Sequence, residues 1–125
     1  MTYLPDTNIF IQAFRNQEPE ASFLKRQIEK NAIVLSVVVI AEFLVKATEE
    51  QKETFGAIKK AFRKLPIDEE IASIAATYRT EYSRKTKRIF LLDCFLAAQA
   101  KVHRLTLVTN NKADFPMKDI RVVSP

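Results

Sequence analysis

The chain has 125 residues, of which 47% are hydrophobic and 28% charged. That profile predicts one globular domain over residues 1–125 and excludes a disordered chain. Twenty Lys and Arg against fifteen Asp and Glu give a net charge of +5, which suits an anionic partner but is also common on surfaces charged simply for solubility.

Tyr3-Leu4 opens a short apolar strand ending at Asp6. Pro5 lacks an N–H, so it belongs at the strand end or on an edge. Asp6-Thr7-Asn8 reads as a helix start, followed by Ile9, Phe10, Ala13 and Phe14 at helical spacing. Pro19 suits the first turn of a second helix with Phe23, Leu24 and Ile28 as its stripe. Ile33-Val34-Leu35 reads as a buried parallel strand. Ser36 is the expected N-cap of a helix from Val37 to about Glu50, apolar almost all round to Ala47 and therefore buried. A further helix is expected over about Gln51 to Lys64, then an extended link, Leu65-Pro66-Ile67. Asp68 caps the next helix, in which Ile71, Ala72, Ala75, Tyr78 and Tyr82 keep helical spacing. Another apolar helix runs from about Leu92 to Val102, followed by strands at Leu105–Thr109 and Ile120–Val123. Short apolar strands separated by helices imply an α/β fold, a short parallel sheet flanked by helices on both faces. Such sheets bind ligands beyond the carboxyl ends of their strands.

The single Gly56 excludes Gly-rich phosphate loops. The single Cys94 cannot form an internal disulfide, which favours a reducing compartment. The longest uncharged run, Asn31–Ala41, has 11 residues, too few for a membrane span, which takes about 20. The N-terminal MTYLPDTN does not read as a signal peptide. A cytoplasmic protein without a membrane partner is expected.

Four carboxylates stand where chemistry is expected. Asp6 ends the first strand, Glu42 lies inside an apolar helix, Asp93 begins a second one, and Asp114 follows the strand Leu105–Thr109 by a short loop. Parallel strands bring all four to one sheet edge. Gathered carboxylates repel one another, and divalent cations resolve the conflict. Oxygen-only ligation selects Mg²⁺ or Mn²⁺, ions able to activate water at a phosphodiester. Each acid also has a bland reading. Asp6 can be an N-cap, Glu42 an i,i+4 partner of Lys46, Asp93 a helix-dipole acid and Asp114 a turn residue. Their shared position weighs against four coincidences.

The chain here resembles the PIN domain family, most closely the VapC-type toxin ribonucleases. The motifs are Tyr3-Leu4-Pro5-Asp6-Thr7-Asn8-Ile9-Phe10, Ser36-Val37-Val38-Val39-Ile40-Ala41-Glu42-Phe43, Asp93-Cys94-Phe95-Leu96-Ala97-Ala98-Gln99-Ala100 and Leu107-Val108-Thr109-Asn110-Asn111-Lys112-Ala113-Asp114-Phe115. The resemblance implies a metal-binding catalytic set of Asp6, Glu42, Asp93 and Asp114, with Thr7, Asn8, Ser36, Thr109 and Asn111 in support. It implies a Mg²⁺-dependent endoribonuclease acting on RNA, a homodimer, and a cognate antitoxin that silences it. Pro5, Cys94, Phe95 and the lack of a Gly before the third motif depart from the family pattern.

The basic run Arg84-Lys85-Thr86-Lys87-Arg88 precedes Asp93. Arg84, Lys85, Lys87 and Arg88 are candidates to hold an RNA backbone. His103 reads as a surface residue and Cys94 as core. Phe43, Phe55, Phe62 and Phe95 read as core or dimer surface. Two other function classes fit the residues less well. A phosphoacceptor domain of receiver type lacks its paired acid and its Lys-Pro loop here. A non-catalytic RNA- or protein-binding module on the same fold is disfavoured by four intact acids.

Overall fold

The computed structural model describes residues 1–84 and 87–125. Its elements in chain order are β1 (Tyr3–Pro5), α1 (Thr7–Phe14), α2 (Glu20–Glu29), β2 (Leu35–Ser36), α3 (Val37–Lys46) and α4 (Glu49–Ala61), then β3 (Lys64–Leu65), α5 (Glu69–Tyr82), α6 (Leu91–His103), β4 (Thr106–Val108) and β5 (Arg121–Val123). A single 3₁₀ turn at Lys112–Asp114 lies between β4 and β5.

All described strand pairs are parallel. β4 lies between β1 and β5, with Pro5 opposite Val108 and Val108 opposite Val123. β2 pairs with β3. The two ladders are joined where Tyr3 bridges Ile33, donating to the Ala32 carbonyl at 2.8 Å and accepting from the Val34 N–H at 3.0 Å. Pro5 closes β1, as its missing N–H requires. Successive strand residues point to opposite faces. Leu107 joins the main core with Leu4, Phe10, Val39, Phe43 and Leu96, whereas Val108 packs with Ile9 and Phe23. Helices therefore cover both faces of the sheet.

The structure departs from the expected elements at several points. The helix expected over Val37–Glu50 ends at Lys46, and α4 begins at Glu49 rather than Gln51. The cause is Thr48, whose side chain accepts from the Gln51 N–H at 3.1 Å while the Gln51 side chain accepts from the Thr48 N–H at 3.0 Å. This capping box starts a new helix and ends the old one. The link Leu65-Pro66-Ile67 is partly a strand, because Lys64 and Leu65 pair with Leu35 and Ser36. The strand expected at Ile33–Leu35 lies at Leu35–Ser36, with Ile33 contributing only a bridge.

The apolar helix α3 is not buried all round. Val37, Ala41 and Val45 form an exposed stripe at i, i+4 spacing, while Val38, Val39 and Phe43 face the core. Phe90, Leu91 and Leu92 are likewise exposed at the start of α6. Gln99 of α6 is completely buried and donates to the carbonyls of Leu65 and Pro66, both at 3.1 Å. It thereby ties α6 to the end of β3. Among the described residues no helix is long and apolar enough to cross a membrane.

Candidate active site

A strand end and a helix start meet at Asp6. Its Oδ1 accepts from the Thr7 N–H at 2.7 Å, which makes it the N-cap of α1. That cap leaves Oδ2 free, and Thr109 Oγ1 donates to it at 2.9 Å. Because β1 and β4 run side by side in the same direction, the residues just past their ends are neighbours. Thr109 is fully buried and its own hydroxyl oxygen accepts from the Asn111 N–H at 3.0 Å.

The other acids arrive from separate elements. Glu42 lies on α3, and Thr7 Oγ1 donates to its Oε1 at 2.6 Å. Asp93 occupies the first turn of α6. Asp114 ends the 3₁₀ turn after β4 and accepts from Lys87 Nζ at 3.1 Å. Asp6, Glu42, Asp93 and Asp114 line one cavity of about 300 Å³ together with Thr7, Asn8 and Asn111. Thr109 stands behind Asp6. Ser36 is buried away from the cavity and caps α3 by accepting from the Val38 N–H at 3.1 Å, so it sets the course of the helix that carries Glu42.

The electrostatics follow from crowding. Burial pushes the Asp93 carboxyl up to about 7, helped by the charges of Asp6, Asp114 and Glu42 and opposed by Lys87. Burial also raises Asp6, against the hydrogen bonds from Thr109 and Thr7 that favour its ionised form. Among the described residues no three of these acids close into a ready-made metal cage. Thr7 bonds to both Asp6 and Glu42, Thr109 to Asp6, and Lys87 to Asp114. The donor set nonetheless suits a hard divalent cation, since it is all oxygen and its members destabilise one another's charges.

Of the basic candidates, Lys87 reaches the site. Arg84 folds back onto the carbonyls of Glu81 and Ser83 at 2.8 and 3.3 Å. Arg88 is exposed, and Lys85 lies outside the described residues. The sequence reading missed Ile11, Val45 and Lys46, which complete the cavity wall. It also missed Glu20, a buried carboxylate whose Oε2 accepts from Asn110 Nδ2 at 2.9 Å, beside Thr109. A helix-start acid such as Glu20 gives no sequence signal of that contact.

The family model of the PIN domain matches residues 3–120. The chain belongs to the PIN domain family. Toxin FitB of Neisseria gonorrhoeae is 30% identical over 98% of this chain and 96% of its own length. Ribonuclease VapC10 of Mycobacterium tuberculosis is 30% identical over 91% and 86%. A toxin-antitoxin complex from Klebsiella pneumoniae contains a chain that superposes with a TM-score of 0.77 at 28% identity, covering 98% of this chain and 96% of that one.

Proposed function

We propose that this PIN domain is a metal-dependent endoribonuclease acting as the toxin of a toxin-antitoxin pair. The observation that carries the reading is the convergence of Asp6, Glu42, Asp93 and Asp114 on one cavity. The names of the relatives, a ribonuclease and a toxin, support it. Residues 1–125 then act as a single nuclease domain, and the cytoplasm, where RNA is plentiful, is its place of action.

Asp6, Glu42, Asp93 and Asp114 would hold Mg²⁺ or Mn²⁺. When bound, such an ion polarises the scissile phosphate and lowers the pKa of a water molecule. The chain's own groups prepare that site. Thr109 and the Thr7 N–H fix both oxygens of Asp6, and the Thr7 hydroxyl fixes one oxygen of Glu42. Asp93, raised to about 7, holds a proton near neutrality and gives it up when a cation takes its carboxylate. Asn8 and Asn111 offer amides along the cavity wall. Lys87 offsets the charge of Asp114 and presents an ammonium to an incoming phosphate, and the exposed Arg88 adds a second cation beside it in chain order.

The cognate antitoxin and a second copy of the chain are the protein partners in this reading. The exposed apolar residues Val37, Val45, Phe90, Leu91 and Leu92 give them surface to cover.

The deciding experiment is cleavage of RNA by purified protein in Mg²⁺, with and without EDTA. Asp6→Asn and Asp93→Asn should each abolish cleavage, and full activity in both variants would overturn the reading. Sequencing of RNA 5′ ends after induced expression, with Asp6→Asn as control, identifies the target.

A further inference from the structure

We propose that Arg15 and Lys46 form an anion-binding notch that seats a backbone phosphate of the RNA strand flanking the scissile one. The inference rests on the ribonuclease reading above and adds the path of the substrate.

The notch lies where α1, α3 and α4 meet and is lined by Ile11, Arg15, Phe43, Lys46, Ala47 and Gln51. It shares Ile11 and Lys46 with the acidic cavity, so the two are contiguous. Its described lining holds two cations and no acid. Both cations are exposed, and neither makes an ion pair among the described residues. Lys46 stands one turn beyond Glu42, yet the i,i+4 pair that this spacing allows is not formed. Glu42 turns to Thr7 instead. Two like charges without a counter-charge repel each other, and an anion between them relieves the repulsion.

Spacing identifies the anion. At about 1.5 Å per residue, α1 carries the chain about 13 Å from the Asp6 cap to Arg15. Along α3, Lys46 stands about 6 Å beyond Glu42. Lys46 thus stands nearer to an acid along its own helix than Arg15 does along its own. A polyanion with repeated phosphates matches this arrangement, with one phosphate at the acids and a flanking one held between Lys46 and Arg15. An acidic peptide suits the notch alone but is repelled by the four neighbouring carboxylates.

The test is fluorescence anisotropy with a short 5′-fluorescein oligoribonucleotide in Mg²⁺ buffer. The protein is the full chain carrying Asp93→Asn to stop turnover, with and without Arg15→Gln and Lys46→Gln together. Each phosphate contact on a single strand contributes about 0.7 to the slope of log Kd against log salt. Losing the one phosphate that the notch seats, the double substitution should lower the slope by about 0.7 and weaken binding several-fold. Lys25→Gln with Lys60→Gln, which removes the same charge from exposed positions outside both cavities, should leave the slope unchanged. Equal slopes with and without the notch residues overturn the inference, as does an equal drop in the control. So does a notch that binds a poly-glutamate peptide while the RNA slope stays constant. Cleavage of the same oligonucleotide by the unsubstituted protein is run in parallel. If it cuts and the slopes are equal, the notch alone is wrong; if it neither binds nor cuts, the ribonuclease reading falls with it.

Discussion

The Thr109 hydroxyl and the Asp6 carboxylate lie 2.9 Å apart although 103 residues separate them in the chain. Thr109→Val keeps the shape and removes the donor. It leaves the buried Asp6 carboxylate short of a partner, at a cost of about 1–3 kcal/mol. Urea unfolding should show that loss, Mn²⁺ titration should show weaker binding, and Thr109→Ser should recover most of both.

Asp93 makes the metal-free protein sensitive to pH. Its folded value of about 7 lies above the 3.8 of an ordinary aspartate. The native state therefore binds its proton more tightly than the unfolded chain. That stabilisation is fully present below about 3.8 and is lost as pH rises through about 7. In EDTA, the melting temperature should fall between pH 5 and 8, and Asp93→Asn should flatten most of that fall. Mn²⁺ affinity should move the other way, rising with pH until Asp93 is ionised.

Glu42→Gln separates stability from function. It removes one of the charges that raise Asp6 and Asp93. The metal-free variant should melt at a higher temperature than the parent, while Mn²⁺ binding and RNA cleavage weaken by at least tenfold. A lower melting temperature in EDTA would count against mutual repulsion among the four acids.

Phe55 anchors the core beneath α1 and α3. It is fully buried, with its ring 4.3 Å from Phe43 and 5.5 Å from Phe10 between centroids. Phe55→Ala should cost about 3–5 kcal/mol in urea unfolding, and Phe55→Leu markedly less.

Much of this was legible in the sequence because the informative signals were local. A strand ending at Asp6, a cap at Ser36 and an acid opening α6 each follow from a few neighbouring residues. The break between α3 and α4 was written in Thr48-x-x-Gln51, yet the helical pattern on both sides concealed it. β3 has two residues followed by Pro66, too few to show an alternation. The basic run before Asp93 looked uniform, but Arg84 is held by carbonyls of its own helix end while Lys87 reaches Asp114. The pairing of Arg15 with Lys46 joins residues on different helices, and no periodicity within either helix announces it.

The bond between Thr109 and Asp6 also sets a schedule for synthesis. Asp6 leaves the ribosome 103 residues before Thr109, and Asp114 follows Thr109. A nascent chain that has reached α6 therefore carries Asp6, Glu42 and Asp93 without the Thr109 hydroxyl and the Asp114 carboxylate that complete the site. A nuclease built this way stays inert beside the message that encodes it until β4 and the turn after it have been made.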